Sequence, residues 1–359
     1  MTTTTMTSIP PLNLAPMLVI GAGIMGAGIA QVAAQAGHPV LLHDAREGAA
    51  IEAKAKLAKS LDTLVAKGKL TAEAVAQTLA RITPVSAIEE AAPVRLVVEA
   101  IVEKLDVKRA LFKQLEGIVA TDCVLATNTS SISVTAIANG LAHPERLVGM
   151  HFFNPVPLMK LVEVVSGLQT APAEAEAIFE LSKVWGKTPV HAKSTPGFIV
   201  NRIARPYYAE TLALLLEQAA TPAVLDACLR AAGFRMGPCE LMDLIGHDTN
   251  FSVTQSVYEA NFYDKRFVPS LVQREMVDGG LLGRKSGQGF CDYRGGAAKP
   301  AITLFEPVGL PWPNDIVQVM GRGPVAERLT AVLSAAGREF TRDEGAGWTG
   351  LDLQWAQLR

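Results

Sequence analysis

Cysteine is scarce. The four in this 359-residue chain (Cys123, Cys228, Cys239 and Cys291) form no close pair and no metal-ligand spacing. That excludes a disulfide framework and gives no metal site, so free thiols in a reducing compartment are expected. A dominant charge is also missing, since 33 Lys and Arg against 35 Asp and Glu leave a net charge of −2. Nothing global attracts nucleic acid or an anionic membrane, so neither is expected as a partner, and any basic patch must be local. No internal repeat is evident. Residues 12–36 carry no charge at all, yet Pro16 breaks the run and Gly21, Gly23, Gly26 and Gly28 stud it. No Lys or Arg precedes it, which also argues against a secretory signal. A buried strand, a glycine turn and a buried helix account for it better, in a cytoplasmic protein.

What is present is the balance of a globular enzyme: 49% hydrophobic and 19% charged residues, in a length sufficient for two domains and part of a third. Residues 1–16 read as a flexible tail. Short apolar runs at 17–20, 39–43, 94–98, 124–127, 147–150 and 160–165 alternate with helical patterns at 47–80 and 103–116. Such alternation predicts an α/β fold, with a Rossmann-like doubly wound N-terminal domain over 17–195. The pattern changes at Pro196-Gly197, and 196–295 read as an all-helical domain. Residues 296–359 read as a linker and a short appended βαβ-like unit, too small to bury much core by itself.

Gly21-x-Gly23-x-x-Gly26 follows a predicted strand and opens a predicted helix, the context a dinucleotide site requires. The first glycine permits the tight turn, the second lets backbone approach the pyrophosphate, and the third lets helix pack on strand. Ile24 and Met25 belong to the same turn. Asp44 stands at the end of the next strand, where it can accept from the ribose hydroxyls and repel a 2′-phosphate. That favours NAD, although neighbouring Arg46 alone can tolerate NADP. No metal is expected.

The second informative stretch runs from Asn128-Thr-Ser-Ser131 to His151-Phe-Phe-Asn-Pro and on to Glu163. Alcohol oxidation needs a base for the hydroxyl proton, and a neutral histidine suits that role. A lone histidine beside aromatics is commonly a core residue. Glu163, however, sits in Leu-Val-Glu-Val-Val, and a carboxylate in an apolar strand demands a partner. His151 is the natural one.

The sequence resembles the L-3-hydroxyacyl-CoA dehydrogenase family over residues 17–295. The resemblance is carried by Val-Ile-Gly-Ala-Gly-Ile-Met-Gly-Ala-Gly-Ile-Ala, Val-Val-Glu-Ala-Ile-Val-Glu, Asn-Thr-Ser-Ser, His-Phe-Phe-Asn-Pro-Val, Thr-Pro-Gly-Phe-Ile-Val-Asn-Arg and Met-Gly-Pro-Cys-Glu-Leu-Met-Asp. Among bacterial members it is most like the 3-hydroxybutyryl- and 3-hydroxyadipyl-CoA type, of fatty-acid β-oxidation and phenylacetate catabolism. The resemblance implies His151 as base and Glu163 as its carboxylate, with Ser130, Asn154 and Asn201 around the substrate oxygen. It places Glu103, Lys108 and Asn128 near the nicotinamide, and Ser60 and Lys67 where members hold coenzyme A. It also implies an acyl-coenzyme A substrate and a homodimer formed through the helical domain, for which 212–216 and 262–271 are the apolar stretches to watch. Arg235 is connected with substrate choice, because a guanidinium can pair with the distal carboxylate of a hydroxyadipyl chain. A surface arginine at a helix end is the alternative. The competing functions are oxidation of a free hydroxy acid or sugar acid on the same fold, and a binding protein on a dehydrogenase scaffold.

Overall fold

The computed structural model describes residues 12–296, 317–345 and 350–353. The chain divides into two compact units, residues 1–300 and 301–359.

In the first unit, short apolar runs become the strands β1 (Met17–Ile20), β2 (Val40–His43), β3 (Ile82–Val85), β4 (Leu96–Glu99), β5 (Val124–Thr127), β6 (Leu147–Phe152), β7 (Leu161–Ser166) and β8 (Thr188–Lys193). They form one sheet in the order β3-β2-β1-β4-β5-β6-β7-β8. β1, β4 and β5 are buried at every position, because helices cover both faces. Those helices are α1 (Ile24–Gln35), α2 (Ala49–Ala66), α3 (Ala72–Ala80), α4 (Leu105–Glu116), α5 (Val134–Ala138) and α6 (Pro172–Val184). The first six strands are parallel, β7 runs antiparallel to β6, and β8 is parallel to β7. Strand order reverses between β1 and β4, which opens a crevice at their carboxyl ends.

The two sheet edges, β3 and β8, lie outside the six strands read from the sequence. β3 contains Pro84, and β8 alternates exposed and buried residues, so neither has the continuous apolar run of a central strand. The predicted tail also differs. Leu12 is 4% exposed and packs in the core. The His38 ring bridges the Ala15 carbonyl at 2.9 Å and the Trp185 indole N–H at 3.0 Å, which ties residues 12–16 to the domain. Residues 1–11 lie outside the described residues.

From Phe198 onward the described chain to Gly280 is helical: α7 (Val200–Leu216), α8 (Pro222–Ala231), α9 (Pro238–Ile245), α10 (His247–Ala260) and α11 (Leu271–Asp278). Tyr208, Leu212, Cys239 and Met242 form its core. Fully buried Asp243 pairs with His247 at 2.8 Å and accepts from the Phe290 and Cys291 amides and the Tyr293 hydroxyl. One carboxylate thereby pins the 290–293 segment to α9.

The second unit contains β9 (Val317–Met320), α12 (Pro324–Ala335), β10 (Phe340–Asp343) and β11 (Gly350–Leu353), in the order β10-β9-β11. Residues 297–316, most of the expected linker, lie outside the described residues. This unit repeats the start of the first. Gly21, Gly23 and Gly37 recur as Gly321, Gly323 and Gly337. The parallel register Met17↔Val40 recurs as Val317↔Phe340. Even the bond from Gly21 N–H to the His43 carbonyl (2.8 Å) recurs, from Gly321 to Asp343 (2.7 Å). The repeat was hidden because Pro324 and Ala326 replace Ile24 and Gly26. A Cβ at Gly26 would lie 1.7 Å from the Gly21 carbonyl oxygen, so the turn bearing Ala326 follows another path, with Gly323 at φ +94° and Gly23 at −70°.

Burial pushes the His38 ring below the ordinary histidine pKa of 6.5, outweighing the Ala15 carbonyl that raises it. The unfolded chain therefore binds the proton more readily. The stability from neutral His38 is complete above pH 6.5 and is lost as pH falls below it, by about 1.4 kcal/mol per unit at most. Urea unfolding at pH 7.5 and 5.5 checks this: the wild type should lose more stability than His38→Gln, and equal losses would reject it.

Candidate active site

His151 on β6 and Glu163 on β7 are direct cross-strand partners. Antiparallel pairing puts such residues on one face with Cβ atoms about 5 Å apart. His151 Nδ1 lies 2.6 Å from Glu163 Oε2, with the residues 5% and 0% exposed. The other carboxylate oxygen accepts the Ile199 and Val200 amides, each at 2.9 Å, at the start of α7. The chain reaches that point through two left-handed residues, Gly197 (φ +75°) and Phe198 (φ +47°). The rings of Phe153 and Phe198 flank the imidazole, with centroids 4.6 and 5.6 Å away. Burial alone raises a carboxyl pKa, but here the His151 bond and the two amides outweigh it and hold Glu163 below its ordinary range. An ionised Glu163 holds the hydrogen on Nδ1 and leaves Nε2 as the basic nitrogen.

A second carboxylate organises the Asn-Thr-Ser-Ser loop after β5. Glu103 Oε1 accepts the Thr129 hydroxyl (2.6 Å), the Ser130 amide (2.8 Å), and both the amide and hydroxyl of Ser131 (3.1 Å each). Burial opposes ionisation of Glu103, but Lys108, Thr129 and Ser130 together lower its pKa. Asn128 Oδ1 accepts the Phe152 amide at 2.9 Å, which fixes the loop to the end of β6. Asn201, on α7, donates to the Ser130 carbonyl at 3.4 Å. The structure thus brings His151, Glu163, Ser130, Asn128 and Asn201 into one connected group. Asn154 is exposed just beyond β6.

Lys108, expected beside the nicotinamide, turns inward to two carboxylates. It is 1% exposed, and its ammonium lies 2.6 Å from Glu99 and 3.3 Å from Glu103. It acts on the loop through Glu103. Glu99, which also accepts the Thr127 hydroxyl at 2.7 Å, was missed by the sequence reading. The signal was there: a carboxylate ending Leu-Val-Val-Glu poses the same burial problem as Glu163. Ser60 and Lys67 are exposed along α2 and at its C-cap, and Arg235 is exposed before α9. None of the three bonds to the His151 group. Among the described residues no cluster of His, Cys, Asp and Glu could hold a metal.

The glycine turn fits a dinucleotide. A Cβ at Gly23 would meet nothing within 4 Å, so space is open at the mouth of α1. No side chain caps that helix and no acid lies in its first turn, which leaves amides and the positive dipole end available to phosphate. Ile24 is exposed there, with Met25 half-buried. Asp44 Oδ2 accepts the Ala22 amide at 2.7 Å, locking the acid beside the turn. It lines a cavity of 450 Å³ with His43, Arg46, Gly48 and Val85.

Residues 17–195 match the family described as 3-hydroxyacyl-CoA dehydrogenase, NAD binding domain, and 197–293 match its C-terminal domain. The chain belongs to this family. It is 54% identical to 3-hydroxyadipyl-CoA dehydrogenase of Escherichia coli over 83% of this chain and 62% of the relative, so it spans less than two thirds of that protein. It is 44% identical to a probable 3-hydroxybutyryl-CoA dehydrogenase of Deinococcus radiodurans over 77% of this chain and 99% of the relative. Among solved structures, 3-hydroxybutyryl-CoA dehydrogenase from Escherichia coli aligns with a TM-score of 0.81 at 48% identity, over 93% of this chain and 73% of that one.

Gly23 and Gly26 of the glycine turn separate fold from ligand. Gly26→Ala forces backbone apart and should lower the unfolding midpoint, with loss of about 3 kcal/mol or more. Gly23→Ala should unfold like the wild type yet bind NADH about tenfold more weakly, since only the ligand needs that space. Fluorescence titration and thermal melts distinguish them, and tight NADH binding by Gly23→Ala would contradict the placement.

Proposed function

We propose that this dehydrogenase oxidises the 3-hydroxyl of a short-chain L-3-hydroxyacyl-CoA to a 3-oxoacyl-CoA. The observation that carries the reading is the buried His151–Glu163 pair, tied at 2.6 Å and completed by the amides of α7. Bound at the glycine turn, NAD supplies the hydride acceptor. His151 Nε2 takes the hydroxyl proton, and Glu163 stabilises the imidazolium that forms, a combination worth about 10²–10⁴ in rate. Ser130 and Asn201 hydrogen-bond the substrate oxygen, with Asn154 at the exposed side. Asn128 and Glu103 set the loop beside the nicotinamide.

The names of the relatives support a four- or six-carbon acyl chain. Arg235 is exposed, available to the distal carboxylate of a hydroxyadipyl group. Ser60 and Lys67 take the coenzyme A phosphates. No described helix is long and apolar enough to cross a membrane, and we place the protein in the cytoplasm, in acyl-CoA metabolism that includes phenylacetate catabolism. Its helical part exposes Leu214, Leu216, Phe262 and Leu271, a surface suited to a homodimer.

NADH formation from 3-hydroxybutyryl-CoA and 3-hydroxyadipyl-CoA, measured side by side, tests the reading. The wild type should turn over at least one, and His151→Ala should lose about 10³-fold or more in kcat while binding NADH as before. Inactivity of the wild type on both, or full turnover by His151→Ala, would overturn it.

A further inference from the structure

Asp44 excludes a 2′-phosphate by its charge, but a potential partner for that phosphate stands two residues away. Arg46 lines the same 450 Å³ cavity as Asp44, together with His43, Gly48 and Ser86. An arginine after the second strand, beside the N-terminus of α2, is the chemistry that accommodates a 2′-phosphate. Here the guanidinium is already occupied. Its two terminal nitrogens donate to the two carboxylate oxygens of Glu52 at 3.1 and 2.8 Å. Glu52 lies in the first turn of α2 and does not line the cavity. Asp44, meanwhile, is locked by the Ala22 and Arg46 amides and cannot swing toward the guanidinium without giving up both bonds.

We infer that Glu52 is a specificity-determining residue, holding Arg46 in a bidentate pair and so denying a 2′-phosphate its cationic partner. Discrimination against NADP then has two parts, repulsion by Asp44 and sequestration of Arg46. The inference rests on the dinucleotide reading of the glycine turn. The pair is half exposed, with side chains 61% and 51% accessible, so its effect is modest: about two- to fivefold in affinity.

Fluorescence titration with NADPH and NADH, which needs no acyl substrate, tests it on the intact chain. Glu52→Gln should tighten NADPH binding about two- to fivefold while NADH binding stays unchanged. Adding Arg46→Ala to Glu52→Gln should remove the gain, because the gain acts through the guanidinium. Unchanged NADPH affinity in Glu52→Gln would overturn the inference, as would a gain that survives without Arg46. Absence of NADH binding in the wild type would instead defeat the cofactor reading beneath it.

Discussion

The Glu163 carboxylate must find hydrogen-bond donors inside a strand that buries it completely. Leaving such a group ionised and unpaired costs several kcal/mol, so its surroundings are constrained from every side. His151 satisfies one oxygen only because β6 and β7 run antiparallel with these residues in register. A one-residue slip would turn Glu163 to the opposite face of the sheet. The other oxygen is satisfied by the first amides of α7, and those arrive only because Gly197 and Phe198 take left-handed conformations. One carboxylate thus ties together the His151 ring, the antiparallel pair β6–β7 and the start of α7.

The same device recurs around the crevice. Asp44 accepts the Ala22 amide of the glycine turn, Glu103 accepts amides of the Asn-Thr-Ser-Ser loop, and Glu163 accepts those of α7. Each acid orders a backbone segment. Asn201 then links the last two segments through the Ser130 carbonyl. Charge-assisted bonds to backbone are among the stronger ones available. Asp44 takes only backbone amides, whereas Glu103 also takes the hydroxyls of Thr129, Ser130 and Ser131.

Legibility in the sequence followed how local each signal was. The strand, glycine turn, helix and Asp44 lie in one short stretch, and each residue has a separate steric or electrostatic reason. Glu163 was readable because an acid in an apolar strand needs a partner, and His151 shares its motif. The edge strands β3 and β8 were not readable, since Pro84 and one-sided burial erase the apolar run. The burial of Lys108 was not readable, because a lysine on an amphipathic helix gives no hint of Glu99, which reaches it only once β4 and α4 pack. The repeated βαβ in the second unit escaped because Gly26 has become Ala326, and the shared register appears only when strands are paired.

The role of Glu163 is tested most directly by kcat for Glu163→Gln at saturating NAD and 3-hydroxybutyryl-CoA. The Gln carbonyl oxygen can still accept both α7 amides, but the side chain carries no charge to stabilise the imidazolium. A fall of about 100-fold or more, with NADH affinity retained, is predicted. A kcat equal to the wild type would mean that the carboxylate only docks α7, and would contradict its part in catalysis.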